Sequence, residues 1–280
     1  MSTSALPIPL VPTAYVPPSA QFRRRMLWLG SCALLMVLGG VYLKFKPWML
    51  FTDFHHLVRL GGEMLPPNVA LLWHKPALFK TIGETVAMSF LGTLLGGAIA
   101  FVLAFFASRN TAPHPLLRAV TRLGFGLERA TPNFVVLLVL FIAFGYGPFA
   151  AMLALALGSV GLFGKLFADA IEQADPGPCE SVASVGATRL QVIRYAIIPQ
   201  ILPSVVANSF YAFDVNLRAA IALGVYGGGG IGFELQLAMK VLRYPDVLAL
   251  ILFIIVLITG MERVSDFVRR RLIQSSESLK

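Results

Sequence analysis

Residues 80–107 read KTIGETVAMSFLGTLLGGAIAFVLAFFA and contain only two charged side chains, Lys80 and Glu84, both near the start. A helix of about 20 apolar residues crosses the roughly 30 Å hydrocarbon core of a bilayer, so this run is long enough to span it. In lipid, a helix satisfies its own backbone hydrogen bonds, whereas an isolated strand does not. The run therefore predicts a transmembrane helix.

The rest of the chain repeats this pattern. Of its 280 residues, 57% are apolar and 13% are charged, whereas about a quarter of a water-soluble domain is charged. The predicted fold class is therefore an all-α membrane protein. Its apolar stretches predict six transmembrane helices, at residues 26–43, 80–107, 131–146, 149–168, 203–226 and 247–264.

The basic residues predict the orientation of these helices. The net charge of +9 could suggest nucleic-acid binding, but the basic residues lie between the apolar runs and do not form a face. If the N-terminus is inside, fifteen of the 23 Lys and Arg residues lie on inner segments, seven lie on outer segments, and Arg218 lies within a span. Cytoplasmic loops carry the excess of basic residues, so both termini are predicted to be cytoplasmic.

The predicted spans divide the chain into four parts. Residues 1–25 are rich in proline and end in three arginines, which predicts a disordered cytoplasmic tail. Residues 26–79 hold the first span and an external linker. Residues 80–272 hold the other five spans, and residues 273–280 form a C-terminal cytoplasmic tail.

The sequence contains no common catalytic or phosphate-binding pattern. It has no GxxxxGK[ST], HExxH or GxSxG motif. Residues 227–232 match GxGxxG, but they follow a predicted span and not the strand of a βαβ unit, so we expect no dinucleotide there. The histidines are not spaced as metal ligands, and Cys32 and Cys179 form no CxxC pair. We expect a non-catalytic protein without cofactor or metal.

Two neighbouring spans are predicted to pack closely. Residues 145–148 read GYGP and leave almost no loop between the third and fourth spans, which predicts an antiparallel helical hairpin. The fourth span then carries small residues that permit close helix contact, although glycine facing lipid is the alternative. These residues are Gly158, Ser159, Gly161 and Gly164.

A polar segment on the predicted cytoplasmic side differs from the other loops. Residues 180–203 read ESVASVGATRLQVIRYAIIPQILP. This pattern predicts a short helix, a bend at Gly186, a second short amphipathic helix, and breaks at Pro199 and Pro203. A protruding helical pair of this kind is suited to docking a partner protein.

The segment resembles the loop shared by permease subunits of ABC importers, which reads Glu-Ala-Ala, three residues, Gly, nine residues, Ile, one residue, Leu-Pro. Glu180, Gly186 and Pro199 keep the register of that signature. The departures from it are Ser181, Val182, Ala196 and Ile198.

Further strings resemble, more narrowly, the permeases of phosphonate importers, which also handle related oxyanions such as phosphite. They include GKLFADAIE at 164–172, SFYAFDVNLR at 209–218 and GGGGIGFEL at 227–235. Tyr226 and Gly228 stand where that family tends to have smaller aliphatic residues, which leaves substrate choice open.

The resemblance implies a type I ABC importer permease fold with cytoplasmic coupling helices, in a bacterial inner membrane. It implies a homodimer that works with two copies of an ATP-binding subunit and an external phosphonate-binding protein. The remaining partners would be a small anionic substrate and membrane lipid, with no nucleic acid. The residues that couple to the ATPase would be Glu180, Gly186, Ala187, Arg189, Arg194 and Pro199.

Arg218 lies inside the fifth predicted span, where a cation costs about 2.5 to 3.5 kcal/mol unless it has a polar neighbour. At about 100° per residue, Asn208, Tyr211, Asp214 and Arg218 share one sector of the helix. This polar stripe is suited to lining a translocation pathway. The alternative is that Asp214 neutralises Arg218 through an ion pair within the helix, and both interpretations can hold together.

Two other functions remain open at the level of sequence. A related permease could carry methionine or another small nutrient. A self-sufficient secondary transporter would instead show inverted repeats with broken helices near the membrane midplane. A membrane-embedded enzyme lacks support, because no nucleophile or metal constellation is evident.

Overall fold

The computed structural model describes residues 18–44, 46 and 48–277, and in that part of the chain all regular structure is helical. Two π-helical turns, Ile193–Ile197 and Gly224–Gly228, flank α11. The helices are α1 Pro18–Tyr42, α2 Met49–Thr52, α3 Phe54–Met64, α4 Leu71–His74, α5 Ala77–Ala107, α6 Pro115–Ala130, α7 Asn133–Phe144, α8 Pro148–Glu172, α9 Pro176–Ser184, α10 Arg189–Val192, α11 Ile198–Leu223, α12 Gly230–Lys240 and α13 Tyr244–Glu277.

The described part of the chain divides into two compact units, with the boundary between Leu60 and Gly61. In the first unit, α1 begins at Pro18, so residues 18–25 of the predicted disordered tail are helical. The rest of that tail lies outside the described residues. Proline is tolerated in the first turn of a helix, because the N–H it lacks would have no acceptor there. Residues Phe22–Tyr42 are long and apolar enough to cross a membrane, as predicted for the first span.

The predicted external linker is also largely helical. It contains α2, α3 and α4, and α5 begins at Ala77, three residues before the predicted span. At the other end of the chain, α13 continues to Glu277 and takes in most of the predicted C-terminal tail, of which residues 278–280 lie outside the described part.

The third predicted span, residues 131–146, differs most from the structure. Helix α7 has 12 residues, about 18 Å, which is too short to cross a bilayer. It meets α6 at 90°, and only the two together are long and apolar enough for one span. Thr131 precedes Pro132, which disfavours helical backbone, and its φ of −91° and ψ of 117° are extended. The described residues thus contain five single-helix spans, and six when this broken pair is included.

Helices α5 and α8 form the centre of the second unit. A Cβ atom built on Gly92 would lie 2.8 Å from Leu155 Cβ, and one on Gly96 would collide with the carbonyl oxygen of Ala156. Because both positions lack side chains, the two helix backbones approach closely. Buried alanine and phenylalanine side chains of α5, α6, α8 and α11 fill the core next to this contact.

Three other glycines of α8 lie at its contacts with α6 and α7, the two helices of the broken pair. A Cβ atom on Gly164 would collide with the ring of Phe125, one on Gly161 with Glu128, and one on Gly158 with Asn133. The prediction that these small residues permit close helix contact is confirmed. The hairpin prediction is confirmed as well, because only residues 145–147 separate α7 from α8.

Asn216 joins three helices inside the core. Its side-chain amide donates one hydrogen bond to Thr93 Oγ1 of α5 at 2.8 Å and another to Ser159 Oγ of α8 at 2.7 Å. Both hydroxyls donate their own protons to carbonyl oxygens of their own helices, so they are free to accept from Asn216. This buried side chain therefore positions α11 against α5 and α8.

The fifth predicted span is longer than expected, because its prolines do not break it. Helical structure runs continuously from Arg189 to Leu223, with Pro199 in the first turn of α11 and Pro203 inside it. The π-helical turn before α11 lets the N–H of Ile198 bond to the carbonyl of Ile193, five residues earlier. Such local changes of register accommodate proline in membrane helices.

The glycine-rich segment at residues 224–232 turns the chain from α11 into α12. Gly227, Gly229 and Gly230 have φ values of 108°, 81° and 67°, a region that side chains rarely adopt. The N–H of Ile231 donates to Thr85 Oγ1 at 2.9 Å, which ties the start of α12 to α5. The GxGxxG match thus follows a helix and serves as a tight turn.

Candidate functional site

The predicted coupling segment, residues 180–199, forms an exposed pair of short helices at one end of α8. Helix α9 begins where Asp175 accepts a hydrogen bond from the N–H of Gly177, and α10 begins at a capping box of Thr188 and Gln191. The predicted helix, bend and second helix are therefore present. The second helix is one turn long and continues through the π turn into α11.

Gly186 makes the bend for a conformational reason. Its φ is +83°, and no atom lies within 4 Å of the position that a Cβ would take. The site has room for a side chain, but an L-residue with that backbone is strained. Glycine is therefore required at Gly186 by the backbone and not by packing.

The outer face of the segment carries the predicted charged residues together with apolar ones that the sequence analysis did not single out. Glu180, Arg189 and Arg194 are exposed. Between them, Val185, Leu190 and Tyr195 have 82%, 77% and 62% of their surface exposed. Ala187 is half-buried and Pro199 is exposed. Exposed apolar side chains within a charged rim are typical of a docking surface. The signal for Leu190 and Tyr195 was the alternation of apolar and basic residues after Gly186.

The inner face of the segment is anchored to the helices below it. Cys179 and Ile193 pack against the core cluster that includes Phe167, Ile171 and Ile197. Gln200 joins the two ends of the segment, because its side-chain carbonyl oxygen accepts a hydrogen bond of 2.8 Å from the N–H of Asp175.

A polar junction lies at the end of α8. The Glu172 carboxylate accepts a hydrogen bond from the N–H of Arg109 at 2.7 Å and another from Arg122 at 2.6 Å. Arg122 also donates through Nε to the carbonyl of Ala107 at 2.8 Å. The ends of α5 and α8 are thereby held to the middle of α6, next to the start of the coupling segment. Sequence reasoning did not identify this junction, because its members lie far apart in the chain.

The predicted polar stripe lies on α11. Asn208 is half-buried, and Tyr211 has half of its surface exposed. Arg218 forms an ion pair with Glu262 of α13, and half of its side chain is exposed. Asp214 accepts a hydrogen bond from Ser265 at 2.8 Å and lies 3.6 Å from Arg269.

The pairing within α11 that was considered from the sequence is therefore not the one observed. Asp214 and Arg218 each pair with α13, so the two helices are joined by two separate charged contacts. Glu262 lies in the sixth predicted span, and an acidic residue in such a span is the signal that could have identified it.

One continuous stretch of helix connects the two groups of predicted site residues. Arg218 lies 19 residues beyond Pro199, about 28 Å along the helix axis. The coupling residues lie at one end of this helix and Arg218 lies near the other. The structure thus does not bring the two groups together, but it links them through α11.

Residues 92–274 match the family model for the binding-protein-dependent transport system inner membrane component. The phosphate-import permease protein PhnE of Mycolicibacterium smegmatis is 41% identical over 84% of this chain, which spans only 43% of that relative's length. The phosphite transport system permease protein PtxC of Stutzerimonas stutzeri is 37% identical over 79% of each protein.

A solved structure shows the same fold. A chain of the MetNI methionine ABC transporter in an inward-facing conformation superimposes with a TM-score of 0.63 over 72% of this chain and 97% of that one, at 19% identity. The predicted type I ABC importer permease fold is thereby confirmed. The chain is an integral membrane protein that belongs to the family of binding-protein-dependent transport system inner membrane components.

Proposed function

We propose that this chain is the membrane-spanning permease of an ATP-driven importer for a phosphorus oxyanion, such as phosphite, a phosphonate or phosphate. The coupling segment gives this proposal its main support, because it has an exposed apolar and basic face, a glycine-dependent bend and an inner face packed against the core. Because the sequence has no phosphate loop, such a segment is the means by which a separate ATPase could drive transport.

The proposed assembly contains two copies of this chain, two ATP-binding subunits and an external binding protein that delivers the anion. Residues 80–272 would form the permease core, with both termini in the cytoplasm of a bacterial cell and the coupling segment on the same side. The distribution of basic residues supports this orientation. If the broken pair is counted as one span, the even number of spans supports placing both termini on the same side of the membrane.

Transport would begin when nucleotide-driven closure of the ATPase subunits moves the two coupling segments. Because α10, the π turn and α11 are continuous, displacement of the segment moves the helix that carries Arg218. The planar guanidinium offers paired donors that match two oxygens of a phosphorus oxyanion. Glu262 competes for the same guanidinium, which would favour release of the anion after it has passed.

The alternatives are less well supported. Methionine import permeases are 25–31% identical over 44–56% of this chain, whereas the phosphate and phosphite permeases are 41% and 37% identical over 84% and 79% of it. A secondary transporter would account for the break between α6 and α7. It would not require the exposed coupling segment, and membership of the transport family argues against it.

The proposal is tested by reconstituting the full-length chain into vesicles with an ATPase subunit and a binding protein, candidates for which are sought among the neighbouring genes. We expect ATP-dependent accumulation of labelled phosphite, phosphate or methylphosphonate, and none of methionine. Uptake of methionine in place of the oxyanions would overturn the substrate assignment. Uptake that persists without the ATPase subunit would overturn the importer class.

A further inference from the structure

A basic pocket lies between α6 and α8, apart from the polar stripe and from the outer face of the coupling segment. Its volume is about 270 Å³. Arg122, Arg129 and Lys165 line it together with Asp169, while Phe125 and Ala168 form apolar wall. We infer that this pocket binds the phosphate head group of an anionic phospholipid.

The charges of the pocket favour a phosphate group. Among the described residues, no carboxylate oxygen lies within 4.0 Å of a side-chain nitrogen of Arg129 or Lys165. Arg122 uses two donors on Glu172 and Ala107, and a guanidinium has five. Three cations can therefore donate to one ligand.

The acidic groups near the pocket limit how strongly an anion can bind. Asp169 lines the pocket itself. Glu172 is engaged by Arg122 and by the N–H of Arg109, and Glu128 is directed at the backbone of Gly161 on α8. With Glu172 counted against its partner Arg122, Arg129 and Lys165 remain against Asp169, an excess of one cation, which predicts weak and reversible binding of a phosphate that carries a single charge.

The depth of the pocket points to a lipid. Lys165 lies seven residues before Glu172, and Arg129 lies seven residues after Arg122, so each lies about 10 Å further along its helix. Helix α8 has 25 residues, about 37 Å, and extends beyond a hydrocarbon core of about 30 Å. If α8 crosses the bilayer and Glu172 lies at its surface, as in the proposed orientation, Lys165 lies about 10 Å deeper, where head groups meet acyl chains.

The outer face of α6 would accommodate the acyl chains. Phe125 packs onto α8 at Gly164. On the opposite side, four apolar residues at helical spacing are exposed and form one stripe: Leu116, Val120, Leu123 and Leu127. A basic pocket beside an exposed apolar stripe is a recognised arrangement for anionic lipid. A soluble anion would make no use of the stripe, and a cytoplasmic protein would have to enter the bilayer to reach Lys165.

Native mass spectrometry of the purified full-length chain in detergent tests this inference, with phosphatidylglycerol and phosphatidylcholine as competing probes. We expect preferential retention of phosphatidylglycerol. Since each cation near a membrane surface contributes about fivefold in affinity, Arg129→Gln with Lys165→Gln should weaken it about 25-fold. The matched control, Lys80→Gln with Lys240→Gln, removes two exposed lysines outside the pocket and should leave the preference unchanged.

A second variant separates loss of binding from loss of folding. Asp169→Asn removes the carboxylate that lines the pocket and should tighten phosphatidylglycerol about fivefold, a gain that misfolding does not produce. Unchanged lipid preference in the pocket variants would overturn the inference. The inference would also be overturned if the same substitutions abolished binding of inorganic phosphate but left lipid retention constant. The ligand would then be a free anion. If only the bound ATPase subunit shields the pocket, the pocket is a protein contact. That result would also overturn the inference.

Discussion

Glu172, the last residue of α8, accepts a hydrogen bond of 2.6 Å from the Arg122 guanidinium, 50 residues earlier in the chain. The same carboxylate oxygen accepts from the N–H of Arg109, just beyond α5. The ends of α5 and α8 and the middle of α6 therefore meet at one side chain, and α9 begins four residues further on. A movement of the coupling segment would reach the membrane helices through this junction as well as through α11.

Replacing Glu172 by alanine should loosen this junction. The carboxylate is one-fifth exposed, so we expect a loss of about 1 kcal/mol, within the range for partly exposed charged hydrogen bonds. This corresponds to a fall of a few degrees in the melting temperature of the detergent-solubilised protein. Glu84→Ala is the matched control, since the partner of Glu84 is an exposed lysine at 3.9 Å. Equal melting temperatures for the two variants would contradict the role of Glu172.

Gly186→Val should uncouple ATP hydrolysis from uptake while leaving membrane insertion intact. A β-branched residue is strained at a φ of +83°, so the bend between α9 and α10 would change. Gly186→Asn is the control, because asparagine tolerates left-handed backbone better than other residues with side chains. The measurement is uptake per ATP hydrolysed in reconstituted vesicles. Normal uptake and normal ATPase co-purification by the valine variant would argue against the coupling assignment.

Arg218→Ala should abolish most oxyanion uptake, and Arg218→Lys should reduce it less, because lysine keeps the charge but loses the paired donors. The double variant Arg218→Ala with Glu262→Ala removes both members of the ion pair and should recover the melting temperature without recovering uptake. If uptake returns together with stability in the double variant, Arg218 serves only as half of an ion pair.

Asp214→Asn should leave the membrane domain folded but alter the turnover of transport. The amide can still accept from Ser265, whereas the attraction to Arg269 is lost. The contact between α11 and α13 would therefore weaken, while the partly buried hydrogen bond from Ser265 remains. Thermal unfolding measured beside the rate of uptake at saturating substrate separates the two effects, and an unchanged rate would contradict the prediction.

The orientation is checked by cysteine labelling from outside in a variant without Cys32 and Cys179. A probe near Glu63 should react and a probe near Ser276 should not, because both termini are predicted to be cytoplasmic. Disruption of the membrane should make both probes reactive. The opposite pattern in intact cells would reverse the topology and place the coupling segment outside.

Much of the architecture was determined by the sequence alone. Apolar run length predicts membrane crossing, because the bilayer thickness sets a minimum length for a helix. Gly186 and the spacing of residues 180–199 predicted the coupling segment, because caps and positive-φ glycines act within a few residues. The predicted break at Pro199 was wrong, because a π turn accommodates this proline within a continuous helix.

The tertiary structure alone decided which polar groups meet. Asn216 reaches Thr93 across 123 residues, and Arg218 pairs with Glu262 instead of Asp214 one turn away. The 90° bend between α6 and α7 likewise depends on how α6 packs against the glycines of α8. Local periodicity fixes which face of a helix a side chain occupies, but its partner depends on the packing angle and depth of another helix. Those are set by close contact between residues far apart in the chain, and a linear pattern does not record them.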